Sequence, residues 1–218
     1  MGKYHSISKH RYLTILSYIC SMNLEKLQNI ESLYFSNNDI ARALSISYKS
    51  AQVTASRNVK EKRLIRLKRD FYLLPQKLKT ISEDELFVLA NILQIPSYVS
   101  LTSALSFYNL STQQMRNHIE SIGVQRTISF KVTDIEFNFN KVKKAFYFGF
   151  IKKENCFIAT PAKALADAIY LTAIGKYKAD FDAIDLEKFN AAEITEILLT
   201  TNKAAQNLWQ KLMKNYGL

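Results

Sequence analysis

Glycine and proline are scarce, with 5 and 3 among 218 residues. That excludes collagen-like chains and Pro/Gly-rich low-complexity segments. Cysteine is nearly missing too. Cys20 and Cys156 lie far apart in apolar contexts, which predicts buried thiols in a reducing compartment. The three histidines, His5, His10 and His118, have no Cys or His neighbour at metal-ligand spacing, so no zinc site is expected. The sequence lacks a Gly-rich phosphate loop and a nucleophile elbow. Asp180, Asp182 and Asp185 cluster, but they read as a solvated loop and helix start. The chain is therefore expected not to be an enzyme and to carry no cofactor. No apolar run reaches the roughly 18 residues of a membrane span. The opening Met1-Gly2-Lys3-Tyr4-His5 lacks the apolar core of a secretory signal. A cytoplasmic protein with no membrane contact is the expectation.

What is present is apolar bulk and positive charge. Hydrophobic residues make up 48% of the chain, enough for a sizeable core in one or two domains. The net charge is +11. Residues 1–80 hold 15 Lys and Arg against 5 Asp and Glu, a net of +10, which leaves +1 for the remainder. Charge gathered in one third of the chain is the electrostatic footprint of nucleic-acid binding.

The arrangement of elements agrees with that. Residues 11–23 place Leu13, Leu16, Ile19 and Cys20 at helical spacing, so a first helix is predicted there. Residues 24–33 continue as helix or turn. Ser36-Asn37-Asn38-Asp39 offers N-caps for a helix through Leu44. Ser45-Ile46-Ser47 reads as a short turn, with Ile46 packing beneath it. Residues 48–62 form the next helix, free of Gly and Pro. Ala51, Ala55 and Val59 share one stripe and face the core. Lys49, Ser50, Val53, Arg57 and Lys60 point the other way, with Gln52 and Ser56 at the flank. Leu64-Ile65-Arg66-Leu67 and Phe71-Tyr72-Leu73-Leu74 read as two strands joined by Lys68-Arg69-Asp70. Helix, turn, helix and basic hairpin make a winged helix-turn-helix, expected over residues 1–80, with the outward face entering a major groove of double-stranded DNA. On that expectation Arg57 reaches guanine and Gln52 adenine, while Lys49, Lys60, Lys68 and Arg69 suit phosphates.

Residues 82–218 predict a second domain of mixed α and β structure. The whole chain is thus expected to be α+β. Ser82-Glu83-Asp84-Glu85 has the form of a capping box for a helix to about Gln94. A short strand is predicted over 98–101 and a helix over 102–108. Residues 111–125 carry no clear pattern. Residues 127–132 and 135–139 alternate as a hairpin around Thr133-Asp134. Residues 146–151 are a further apolar stretch, and residues 156–159 a strand candidate. Thr160 caps a helix that opens on Pro161. On that helix Lys163 and Asp167, four apart, are expected to pair at the surface. Two or three helices complete the chain.

The stretch from Ser97-Tyr98-Val99-Ser100-Leu101 through Phe107-Tyr108, then Phe148-Gly149-Phe150, and then Ile158-Ala159-Thr160-Pro161-Ala162-Lys163-Ala164-Leu165-Ala166-Asp167, resembles the AbiEi family of abortive-infection antitoxins. The resemblance runs over nearly the whole chain. Ala162 stands where the family's Pro-Glu-Lys-Ala-Leu motif carries Glu. The resemblance implies an N-terminal winged helix and a C-terminal antitoxin domain. It also implies repression of the protein's own toxin–antitoxin operon and relief of a nucleotidyltransferase-like toxin, in several systems without a stable complex. Two other classes stay open on the residues alone. One is a ligand-responsive winged-helix transcription factor. The other is an RNA-binding protein, whose aromatic residues would stack on bases.

Overall fold

The computed structural model describes residues 25–218, so the helix predicted over 11–23, along with His5, His10 and Cys20, lies outside the described residues. The fold is mixed α+β. The chain falls into two compact units, divided between Ile81 and Ser82.

In the first unit residues 25–28 form a helical turn that delivers Leu27 to the core. A short strand follows, β1 (Phe35–Ser36), and then helices α1 (Asn37–Leu44) and α2 (Tyr48–Lys60). The hairpin is β2 (Ile65–Lys68) and β3 (Phe71–Leu73), and α3 (Pro75–Lys79) closes the unit. The three strands form one sheet in the order β1-β3-β2, all antiparallel. Ser36 ends β1 and also caps α1. Its side chain accepts from Asp39 N–H, and Asp39 returns to the Ser36 N–H at 2.8 Å. Helix α1 stops at Ser45, whose φ of 54° turns the chain left-handed. Ser47 then caps α2 by accepting from Ser50 N–H. The core joins Leu27, Phe35, Ile40 and Leu44 to Ala51, Ala55, Leu64, Tyr72 and Leu74, with Ile46 and Val59 packed against it. Each fully buried Leu or Ile in such a core is worth about 1.5–3 kcal/mol. The two small alanines let α2 approach α1 closely. Lys77 Nζ donates to the carbonyls of Ile30, Glu31 and Ser32, at 2.8, 2.7 and 2.5 Å, and fastens α3 to the segment before β1.

The second unit opens with α4 (Glu83–Leu93), capped reciprocally by Ser82 and Glu85. There follow β4 (Ser97–Val99), α5 (Leu101–Phe107), β5 (His118–Gly123), β6 (Ile128–Val132) and β7 (Ile135–Lys141). A short 3-10 turn, Lys144–Phe146, leads to β8 (Phe150–Lys153) and β9 (Cys156–Ala159). Helices α6 (Pro161–Ala173), α7 (Ala191–Leu199) and α8 (Lys203–Tyr216) finish the chain. The six strands make one mixed sheet, ordered β6-β7-β5-β4-β9-β8. Pairs β5–β7 and β4–β9 are parallel and the rest antiparallel. The patternless segment 111–125 thus supplies β5, a strand with neighbours on both sides. Helix α6 is buried along most of its length and packs on α5, α7 and α8. Cys156 is buried, with its thiol directed at the Lys153 carbonyl. Among the described residues no helix is long and apolar enough to cross a membrane.

The expected surface pair on α6 is in fact a core feature. Lys163 and Asp167 do pair, but both are fully buried. The other Asp167 oxygen accepts from Tyr98 Oη at 3.0 Å and from Ser100 Oγ at 2.8 Å. The Lys163 ammonium lies 3.5 Å from the centre of the Phe146 ring. Burial pushes the Lys163 amine below its ordinary value and the Asp167 carboxyl above its own, while the mutual attraction opposes both shifts. Helical spacing predicts that the two residues meet, but it carries no information on which face of α6 is covered. Gly149, at φ +73°, passes so close over Lys163 that a Cβ there would sit 2.9 Å from Cγ.

Candidate nucleic-acid interface

Helix α2 has three basic residues, Lys49, Arg57 and Lys60, and no acidic one. Lys49, Ser50, Gln52, Val53, Ser56, Arg57 and Lys60 are all exposed, while Ala51 and Ala55 are fully buried. The seven exposed side chains therefore share one outward surface, set by the alanine stripe that faces the core. Sequence reasoning missed Asn58, which is buried on this helix. Its side chain donates to Thr54 O at 2.9 Å, and its own carbonyl accepts from Arg63 and Leu64 N–H as the helix ends. That ending falls at Lys60, with Lys62 already at φ 58°, so the helix is two residues shorter than its periodicity predicts.

The hairpin differs in one position that bears on the site. Lys68 lies in β2 and not in the connection. The ladder slips between Arg66 and Lys68, leaving Leu67 buried at the bulge and setting Lys68 opposite Phe71. The Lys68 ammonium sits 4.8 Å from the Phe71 ring centre, and partial burial holds its pKa below the ordinary lysine value. Arg69 stays exposed at the tip. Asp70 beside it adopts φ 68°, and its carboxylate accepts from Asn37 N–H at 3.0 Å. That N–H is one of the orphan donors at the start of α1, so the hairpin tip is bonded to the helix N-terminus. Nothing in residue spacing foretells a bond across 33 positions. Asp39 is the second carboxylate at this helix start. Burial pushes it up, but hydrogen bonds from Ser36 and the Arg42 guanidinium outweigh that and hold it below its ordinary value.

Between α2 and the hairpin lies a cleft of about 300 Å³. Gln52 and Ser56 line it from the helix, Arg66 and Arg69 from the hairpin. Of the predicted residues it gathers Gln52, Ser56 and Arg69. Lys49, Ser50, Val53, Arg57 and Lys60 stand on the helix outside its lining. Arg66 is the residue that sequence reading passed over, because alternation places it in a strand without saying which face is open. The surface is therefore a donor-rich helix face beside a groove whose lining includes Arg66 and Arg69 together with Asp70. Its complement is an anionic, acceptor-rich surface.

The second unit has a polar cluster of its own. Glu120, buried in β5, accepts from Thr102 N–H at 3.0 Å and from Tyr177 Oη at 2.9 Å. Its other oxygen lies 3.8 Å from His118 Nε2, and Glu136 is 3.9 Å from Nδ1. Pairing with Glu120 lifts His118 above its ordinary value; burial opposes this, and the charges of Glu120 and Glu136 add to it. Asp180, Asp182 and Asp185 are exposed. Among the described residues, no three His, Cys, Asp or Glu side chains are grouped so as to hold a metal ion.

No family model matches the chain, and no curated protein matches it. Among solved structures it is similar to the Rv2827c protein of Mycobacterium tuberculosis, with a TM-score of 0.56 at 9% identity. That likeness covers 94% of this chain and 78% of the mycobacterial one, and at such low identity it is a likeness of fold.

Proposed function

We propose that the first unit is a winged helix-turn-helix that binds double-stranded DNA, and that the chain acts as an antitoxin and represses its own toxin–antitoxin operon. The observation that carries the first part is the shared outward surface of α2, basic and with no carboxylate of its own, beside a cleft that Arg66, Arg69 and Asp70 help to line. In this reading α2 enters the major groove. Arg57 and Gln52 address base edges, while Lys49, Lys60, Lys68 and Arg69 meet phosphates. The second part rests on the resemblance of residues 97–108, 148–150 and 158–167 to the AbiEi family. The cognate partner would be a nucleotidyltransferase-like toxin, countered with or without direct contact. The surroundings of Lys163 and Asp167, which fall in the last of those stretches, favour a structural role for that motif, since both are sealed from solvent.

The test is a salt titration of binding to duplex DNA from the chain's own promoter. Each phosphate contact adds about 0.9 to the slope of log affinity against log salt. Replacing Lys68 and Arg69 together by Ala is expected to flatten that slope by up to about 2 and to weaken all sequences alike. Unchanged binding at every salt concentration would remove the hairpin from the interface.

A further inference from the structure

Val53 is the anomaly of the α2 surface. It is 56% exposed, at the centre of a face whose other members are polar or charged. On a helix its nearest surface neighbours are the residues three and four away, here Lys49, Ser50, Ser56 and Arg57. No apolar side chain is among them. Helix stability does not account for it either: a β-branched residue is a poorer helix former than alanine, and this position makes no core contact that would compensate. An exposed apolar group ringed by hydrogen-bond donors fits a surface that is mostly acceptors and offers an isolated apolar point. The major groove of DNA is such a surface. Its edges present N7, O6 and O4 acceptors, and its apolar group is the methyl on pyrimidine C5.

We propose that Val53 selects a C5-methyl pyrimidine, packing its two methyl groups on that methyl while its neighbours engage the surrounding acceptors and phosphates. This rests on the reading of the first unit as a DNA-binding module. It adds a specificity that hydrogen bonding alone does not supply. Thymine and 5-methylcytosine share the recognised group, and the test separates them.

The full-length protein is used to select duplexes from a random-sequence pool. In a retained duplex each thymine is replaced in turn by uracil, which removes only the methyl. At one thymine position in the contacted site the wild type is expected to lose affinity by about fourfold, the effect of one methyl group withdrawn from a dry contact. Val53→Ala, which keeps the helix, is expected to lose less than twofold at that position. Cytosine placed at the same position tests the second source. If 5-methylcytosine restores affinity there and cytosine does not, the methyl itself is read; if neither binds, the thymine O4 is needed as well, and thymine is the ligand. Uracil penalties that are absent, or equal in wild type and Val53→Ala, would overturn the role of Val53 while leaving DNA binding intact. Selection of no duplex, together with self-association that Val53→Ala abolishes, would make this face a protein contact and overturn both.

Discussion

Asp70 performs two tasks in one position: it turns the hairpin with a left-handed backbone and satisfies the first N–H of α1. Asp70→Ala loses both and is expected to cost about 1–3 kcal/mol in urea unfolding, the price of an unpaired buried donor plus the left-handed strain. Asp70→Asn keeps the acceptor and tolerates the conformation, so it should lose only the attraction to the helix dipole, about 0.5 kcal/mol. Equal losses for the two substitutions would show that the bond to Asn37 contributes nothing. The Lys163–Asp167 pair is the second residue-scale prediction. Asp167→Ala strands a buried ammonium and is expected to destabilise the chain by about 3–5 kcal/mol. Replacing both together, by Met at 163 and Leu at 167, should recover most of that loss, although the Tyr98 and Ser100 hydroxyls then lack their acceptor. A double variant as unstable as Asp167→Ala would mean that packing and the orphaned hydroxyls, not the stranded charge, set the cost.

At the scale of elements, caps and breakers are what residue order reveals. Ser82 and Thr160 each cap a helix where the sequence predicts, and Ser36 is the one of four candidate caps that is used, because capping is local chemistry; Ser47, read only as a turn residue, also proves to be a cap. The hairpin at Thr133-Asp134 is legible for the same reason. Strand β5 is not. His118, Glu120 and Ser121 break the apolar alternation that marks a strand, and Glu120 is tolerated only because α5 and Tyr177 bring donors to it from elsewhere. The candidate site divides likewise: the outward face of α2 follows from periodicity, whereas Arg66 and the Asp70 bond depend on how the hairpin lies against the helices. β5 also carries a pH dependence. The folded state raises the His118 pKa above its ordinary 6.5, so it binds the proton more tightly than the unfolded chain does. The resulting stability is fully present below about pH 6 and is lost as pH rises through the raised value. Urea midpoints measured from about pH 5.5 to 8 should therefore fall more steeply for the wild type than for His118→Gln. Parallel curves would show that Glu120 and Glu136 do not act on the imidazole.

For the whole molecule, the division of charge sets the expectation. With +10 in residues 1–80 and +1 in the rest, long-range attraction for a polyanion belongs to the first unit. On the proposed function, a fragment covering 82–218, shown to fold by circular dichroism, is expected to repress nothing yet still relieve a cognate toxin in cells. Protection by residues 1–80 alone, with none from a folded 82–218, would reverse that assignment. The first unit has one further property. Ser36 is at once a strand residue paired with Phe71 and the cap of α1, and the next residue, Asn37, is bonded to the hairpin tip. Helix, strand and hairpin thus meet at one joint that hydrogen bonds close from each side, like a bracket welded at its corner. A bracket of that kind is expected to conform little to what it meets. On the proposed function, a duplex seated against it would have to supply the compliance, by opening its groove or bending, so sequences that deform easily are expected to hold an advantage at base pairs the protein never touches.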